Sequence, residues 1–168
     1  LSSQSPLPPA LQGVWNDGEA CRLGWTNDMH LDVNTQMNLG CAEALGYGEA
    51  LKPLFRFIKD SLIPEGRKTA CGYYGLPGAV AELSTNRFGY AAPFWGRPLA
   101  PCPGCGCWLC ETVIRHARYH PEDEGFLRDE ALPILEPFVE FCLSYLTEVQ
   151  GEWIGGPSVS PENGFCVD

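Results

Sequence analysis

Residues 132–146 read LPILEPFVEFCLSYL. Leu132, Leu135, Phe138, Val139, Cys142, Tyr145 and Leu146 recur at helical spacing, the clearest amphipathic stripe in the chain. Pro133 and Pro137 place its regular start near them, because proline is tolerated only in a first turn. Residues 49–74 repeat the pattern with Leu51, Leu54, Phe55, Ile58 and Leu62, and Pro64 and Gly66 predict a break into two helices. Shorter helices are expected over 34–45, from Met37, Cys41 and Leu45, and over 107–119, from Trp108, Val113, Ile114 and Ala117. Residues 1–31 and 75–106 are rich in proline and glycine and read as loops. The second is longer than a compact domain usually leaves structureless, so it is either functional or held by neighbouring parts. A short extended piece is expected at 153–154. The expected fold class is all-α: helical hairpins joined by long loops.

The bulk composition narrows the function. At 168 residues and 45% hydrophobic, the chain is one globular unit able to bury a core. A net charge of −10 argues against a nucleic-acid partner and suits a neutral substrate. No apolar run is long enough for a membrane span. The start, LSSQSPLPPALQ, lacks both a signal-peptide pattern and Met, so the chain reads as a piece of a longer protein. Nine cysteines are an odd number and too sparse for a disulfide scaffold. Reduced thiols favour a cytoplasmic location, with an extracellular one open if the full gene encodes a signal peptide.

Four constellations bear on chemistry. Cys102, Cys105, Cys107 and Cys110 form two abutting C-x2-C pairs, the ligand type of zinc or iron–sulfur sites. Structural sites usually draw their pairs from distant segments, and Cys107 and Cys110 should lie inside a helix, so small buried thiols are the plainer reading. His116 and His120 are spaced as two ligands on a helix, without the glutamate of a zinc peptidase motif, and a helix C-terminus favours histidine on its own. Asp32, Asn34 and Asn38 cluster where a helix begins; an N-cap accounts for one of them but does not need all three. Glu162 sits in the proline-stiffened GPSVSPENGF at 156–165. It is either a solvated loop charge or a carboxyl held near a cavity as a general acid.

Five stretches, in order, resemble one family. LPPALQGVWND at 7–17 is similar to its LPANLQGIWND, and LDVNTQMN at 31–38 to its LNINTEMN. GRKTA at 66–70 is the same in both. CWLC at 107–110 with His116 resembles AWLCTHLWEH, and PSVSPEN at 157–163 resembles PSTSPEN. The family is glycoside hydrolase family 95, which includes α-L-fucosidases acting on 1,2-linked fucose. The resemblance implies a partial (α/α)6 toroid, with residues 1–168 a fragment from roughly the middle of one catalytic domain. It implies an inverting hydrolase of fucosylated oligosaccharides with no metal or organic cofactor, whose partner is the remainder of its own domain. Glu162 matches the general acid and Asn34 one of two asparagines that polarise the attacking water. The other asparagine is Asp32 here, which can take a proton where an amide cannot. Trp15, Asn38, Glu82 and His116 are candidates for lining the sugar pocket. The family's WVAHHNTD is AVAELSTN at 79–86, so Glu82 and Leu83 replace two sugar-contacting histidines. That departure leaves a carbohydrate-binding remnant without catalysis open beside the enzyme, as the Cys cluster leaves a metal-binding module.

Overall fold

A computed structural model describes residues 2–11, 13, 28–96, 99–159 and 166–167 of the chain. A short strand β1 (Met29–His30) leads into α1 (Asn34–Leu39). One unbroken helical run then covers 48–74. It consists of a 3-10 turn (Gly48–Leu51), α2 (Lys52–Phe57), a π turn (Ile58–Leu62), α3 (Ile63–Thr69) and a second π turn (Ala70–Tyr74). After β2 (Ser84–Thr85) come α4 (Cys105–Tyr119), α5 (Glu124–Phe126), a π turn (Leu127–Ala131) and α6 (Leu132–Tyr145). The described chain closes with β3 (Leu146–Val149), β4 (Glu152–Gly155), β5 (Ser158–Val159) and β6 (Cys166–Val167). Among the described residues the strands are two to four residues long and pair as β1–β2, β3–β4 and β5–β6, all antiparallel. The expected all-α class is borne out.

The expected break at Pro64 does not occur, and the reason recurs at Pro133. The Ile63 N–H reaches back to the Ile58 carbonyl, and the Leu132 N–H to the Leu127 carbonyl, each closing a π turn. Pro64 and Pro133 are the next residues and open a fresh α register. A wide turn before each proline lets the helix pass without the missing N–H, so the axis continues. The run ends at Gly75, whose φ of 68° is left-handed.

The apolar faces differ from those the spacing suggested. On α6 the buried residues are Ile134, Pro137, Phe138 and Phe141, whereas Leu132, Val139 and Leu143 are exposed. Around α1 the buried side chains are Thr35, Gln36 and Leu39, whereas Met37 and Leu45 are largely exposed. Helix α6 is apolar nearly all round, so hydrophobic spacing did not single out the inner face. What fixes that face is the extended segment 78–83, read above as loop. Ala79, Val80 and Ala81 have no exposed surface, and Glu82 and Leu83 almost none. The segment threads between three helices. Ala79 N–H donates to Pro137 O at 2.8 Å, Val80 N–H to Gly66 O at 3.3 Å, and Gly106 N–H to Ala81 O at 3.2 Å. Pro137 lacks an N–H of its own, but its carbonyl is used in this way. The segment then joins β1, with Leu31 N–H donating to Leu83 O at 2.6 Å. Helix α4 packs on α6, with the sulfurs of Cys107 and Cys142 facing each other across the seam. Of the four cysteines of the two C-x2-C pairs, Cys102 and Cys105 have their sulfurs 3.4 Å apart, and Cys107 faces Cys142 instead.

Candidate active site

Helix α1 begins after Val33, and no side chain caps it. Asp32 and Asn34 flank that start. The turn is held instead by Thr35, whose hydroxyl donates to His30 O at 2.7 Å, and by Gln36, whose amide donates to Leu31 O at 2.7 Å. Asn38, one turn along, donates from Nδ2 to Ala10 O at 3.0 Å. It thereby pins the segment that runs on toward Trp15. Trp15 itself, like Glu162, lies outside the described residues.

Glu82 is buried and accepts two hydrogen bonds. The Tyr74 hydroxyl donates to one oxygen, and the Cys102 backbone N–H to the other at 2.5 Å. Burial raises its pKa above the usual carboxyl value, and the two hydrogen bonds only partly oppose this. The same surroundings push the Tyr74 hydroxyl upward, burial first and the Glu82 contact second. A raised carboxyl pKa makes the folded state bind the proton more tightly than the unfolded chain. Glu82 therefore costs stability as pH climbs from the unfolded carboxyl pKa through the raised folded one. We expect Glu82→Gln to flatten that limb, which urea unfolding across the acidic to neutral range would measure. Parallel pH curves for variant and wild type would contradict it.

Glu82 also connects the site to α4. Cys102 and Cys105 bracket the N-terminal end of that helix with their sulfurs 3.4 Å apart. The hydrogen bond from Cys105 pulls the Cys102 thiol pKa down, against burial and the negative charge of Glu82 and Asp32. That contact, with burial, pushes Cys105 up. Asp32 and Glu82, fifty positions apart, thus act on one pair of thiols. From the C-terminal side, Val159 N–H donates to Pro101 O at 2.9 Å, next to Cys102. Val159 belongs to the β5–β6 pair, and residues 160–165, which include Glu162, connect those strands. Beside β1 and β2 a cleft of about 430 Å³ is lined by Asp28, Ser84, Thr85, Asn86, Tyr90 and Phe94. It combines polar groups with aromatic rings.

His116 is placed differently from the other candidates. It is buried on α4 against Glu43, and His120 approaches the same carboxylate. Sequence reading noted the histidine pair but missed Glu43, which lies 73 residues before His116 in the turn after α1. Only the fold could supply that pairing. Among the described residues no helix is long and apolar enough to cross a membrane.

Comparison with known proteins agrees with this architecture. The glycosyl hydrolase family 95 catalytic domain matches residues 1–168. "Probable alpha-fucosidase A" of Aspergillus niger is 33% identical over 98% of the chain, and "Alpha-L-fucosidase 2" of Arabidopsis thaliana is 33% identical over 94%. The chain spans 21% and 18% of those relatives, about a fifth of their length. A solved structure titled "Putative kojibiose phosphorylase from human microbiome" shares the fold, with a TM-score of 0.68 over 95% of the chain and 21% of its own, at 18% identity. With the family matched from the first residue to the last, the chain belongs to the glycosyl hydrolase family 95 catalytic domain.

Proposed function

We propose that the protein hydrolyses terminal α-L-fucosyl residues, 1,2-linked, from oligosaccharides or glycoconjugates with inversion of configuration. Glu162 is the general acid that protonates the departing glycosidic oxygen. Asn34 and Asp32 hold the water that attacks the opposite face of the sugar, as inversion requires. One observation supports this reading above the others: the Glu82-held Cys102 segment and the β5 strand that leads toward Glu162 come together at the N-terminal end of α4. The β5–β6 pair is tied there through Val159, and Glu162 falls in the sequence between its two strands. Ser84, Thr85 and Asn86 come from the stretch matching the family's sugar-contacting run, and they line the cleft beside β1 and β2. Trp15, from the N-terminal segment, and Asn38, on α1, shape the sugar pocket. Glu82, in place of an imidazole, acts from below by holding the Cys102 backbone. The remainder of the catalytic domain covers the exposed apolar face of α6 and completes the ring.

Asp32 supplies more than an amide would. In this reading it takes the proton from the attacking water. Asp32→Ala in the full-length protein should lower kcat by about 10²–10⁴ with a modest change in KM. Near-normal hydrolysis by that variant would remove Asp32 from the base role.

The second reading is a carbohydrate-binding remnant of the same fold. It is favoured by Glu82, which is buried with two protein partners where the family places a sugar-contacting histidine. Hydrolysis of 2'-fucosyllactose measured alongside a binding titration separates the two. Turnover supports the enzyme, and binding without turnover supports the remnant.

A further inference from the structure

We infer that Glu43, His116 and His120 form a site for a divalent transition-metal ion, zinc by the chemistry of its donors. One oxygen of the Glu43 carboxylate meets His116 Nδ1, and the other is 3.1 Å from His120 Nε2. The three donor atoms lie within 4.8 Å of one another. Two imidazoles and one carboxylate are a recurrent zinc set that leaves a fourth position for water. His116 lies in the last turn of α4 and His120 is the residue just beyond it, its N–H on the His116 carbonyl, which leaves the two ring centres 4.5 Å apart.

The surroundings are shaped for these groups. Glu43 and His116 are buried, and the His116 ring is held against Phe126, with ring centres 4.4 Å apart, and Phe55, at 5.2 Å. A Cβ on Gly48 would stand 2.8 Å from a Glu43 oxygen, so the backbone there leaves room for the carboxylate and little else. On the open side, the His120 side chain is 40% exposed, which gives an ion a route in. Its other nitrogen is 3.9 Å from the Glu122 carboxylate. Glu43 follows α1, and the histidines end α4. A bound ion would therefore tie the turn after the Asp32–Asn38 strip to the far end of the helix whose start carries Cys102 and Cys105. The site is independent of the glycosidase reading.

The test uses the full-length protein, stripped with a chelator and titrated with Co²⁺ as a spectroscopic stand-in and with Zn²⁺. The expected result is one equivalent bound, with visible Co²⁺ bands that lack a thiolate charge-transfer band, and a higher melting temperature with Zn²⁺. His120→Ala should weaken binding at least tenfold. Because His120 is partly exposed, its variant should keep the wild-type circular dichroism, which separates lost ligation from lost folding. Absence of Co²⁺ bands, a spectrum dominated by thiolate, or an unchanged affinity in His120→Ala would each overturn the assignment.

Discussion

Glu162→Gln in the full-length protein should lower kcat on 2'-fucosyllactose by about 10²–10⁴ while leaving KM within a few-fold of wild type. The amide keeps the size and the hydrogen-bonding reach of the carboxyl but has no proton to give the leaving oxygen. The loss should depend on the leaving group. α-L-Fucosyl fluoride departs with little need of protonation, so the variant should hydrolyse it far closer to the wild-type rate. The alkaline limb of the wild-type pH profile, which reports the acid's deprotonation, should also vanish. If both substrates suffered equally, Glu162 would be serving binding or folding, and the general-acid assignment would fail. Asp32→Ala should behave in the opposite sense: it leaves the protonation step intact and impairs attack on both substrates alike.

The second large effect concerns stability. Gly78→Ala should destabilise the protein by about 3–5 kcal/mol, the sum of a left-handed backbone cost and an overpacking cost. Gly78 has a φ of 81°, and an added Cβ would press on the Pro137 carbonyl oxygen and stand 2.5 Å from the Phe141 nitrogen. Both obstacles are backbone atoms of α6, so no side-chain rotation relieves them. Gly75 provides the internal control. Its φ of 68° carries a similar backbone penalty, but nothing lies within 4 Å of its virtual Cβ. Gly75→Ala should therefore cost only about 1–2 kcal/mol. Denaturant unfolding of the two variants measures the difference, which isolates the close approach of 78–83 to α6. Equal losses would mean that the segment does not thread tightly against that helix.

Segment 78–83 also shows where reading a sequence stops. AVAEL at 79–83 has too little polarity to mark a surface, but the prolines and glycines around it gave the whole of 75–106 a loop's composition. Its place among α3, α4 and α6 comes from hydrogen bonds to Gly66, Pro137 and Gly106, residues up to 58 positions away. Local pattern cannot register such partners. Helix type and approximate position, by contrast, were legible in 49–74, 107–119 and 132–146, because periodic apolar side chains and their spacing are properties of the chain itself. Pro64 misled for a related reason: proline announces a missing N–H, but whether a wide turn absorbs it depends on the packing of the turn before.

The site divides along the same line. Sequence alone determined the all-α class, the family resemblance, and the residue types at Asp32, Asn34 and Glu162, since each depends on order and identity along the chain. Tertiary structure decided which α6 face is inward, that Cys107 faces Cys142, that Glu82 is buried beneath Cys102, and that Glu43 meets His116 and His120. Each of these pairs groups far apart in the chain, and the free energy of their contacts is set by distance in space and shared burial, neither of which the order of residues records.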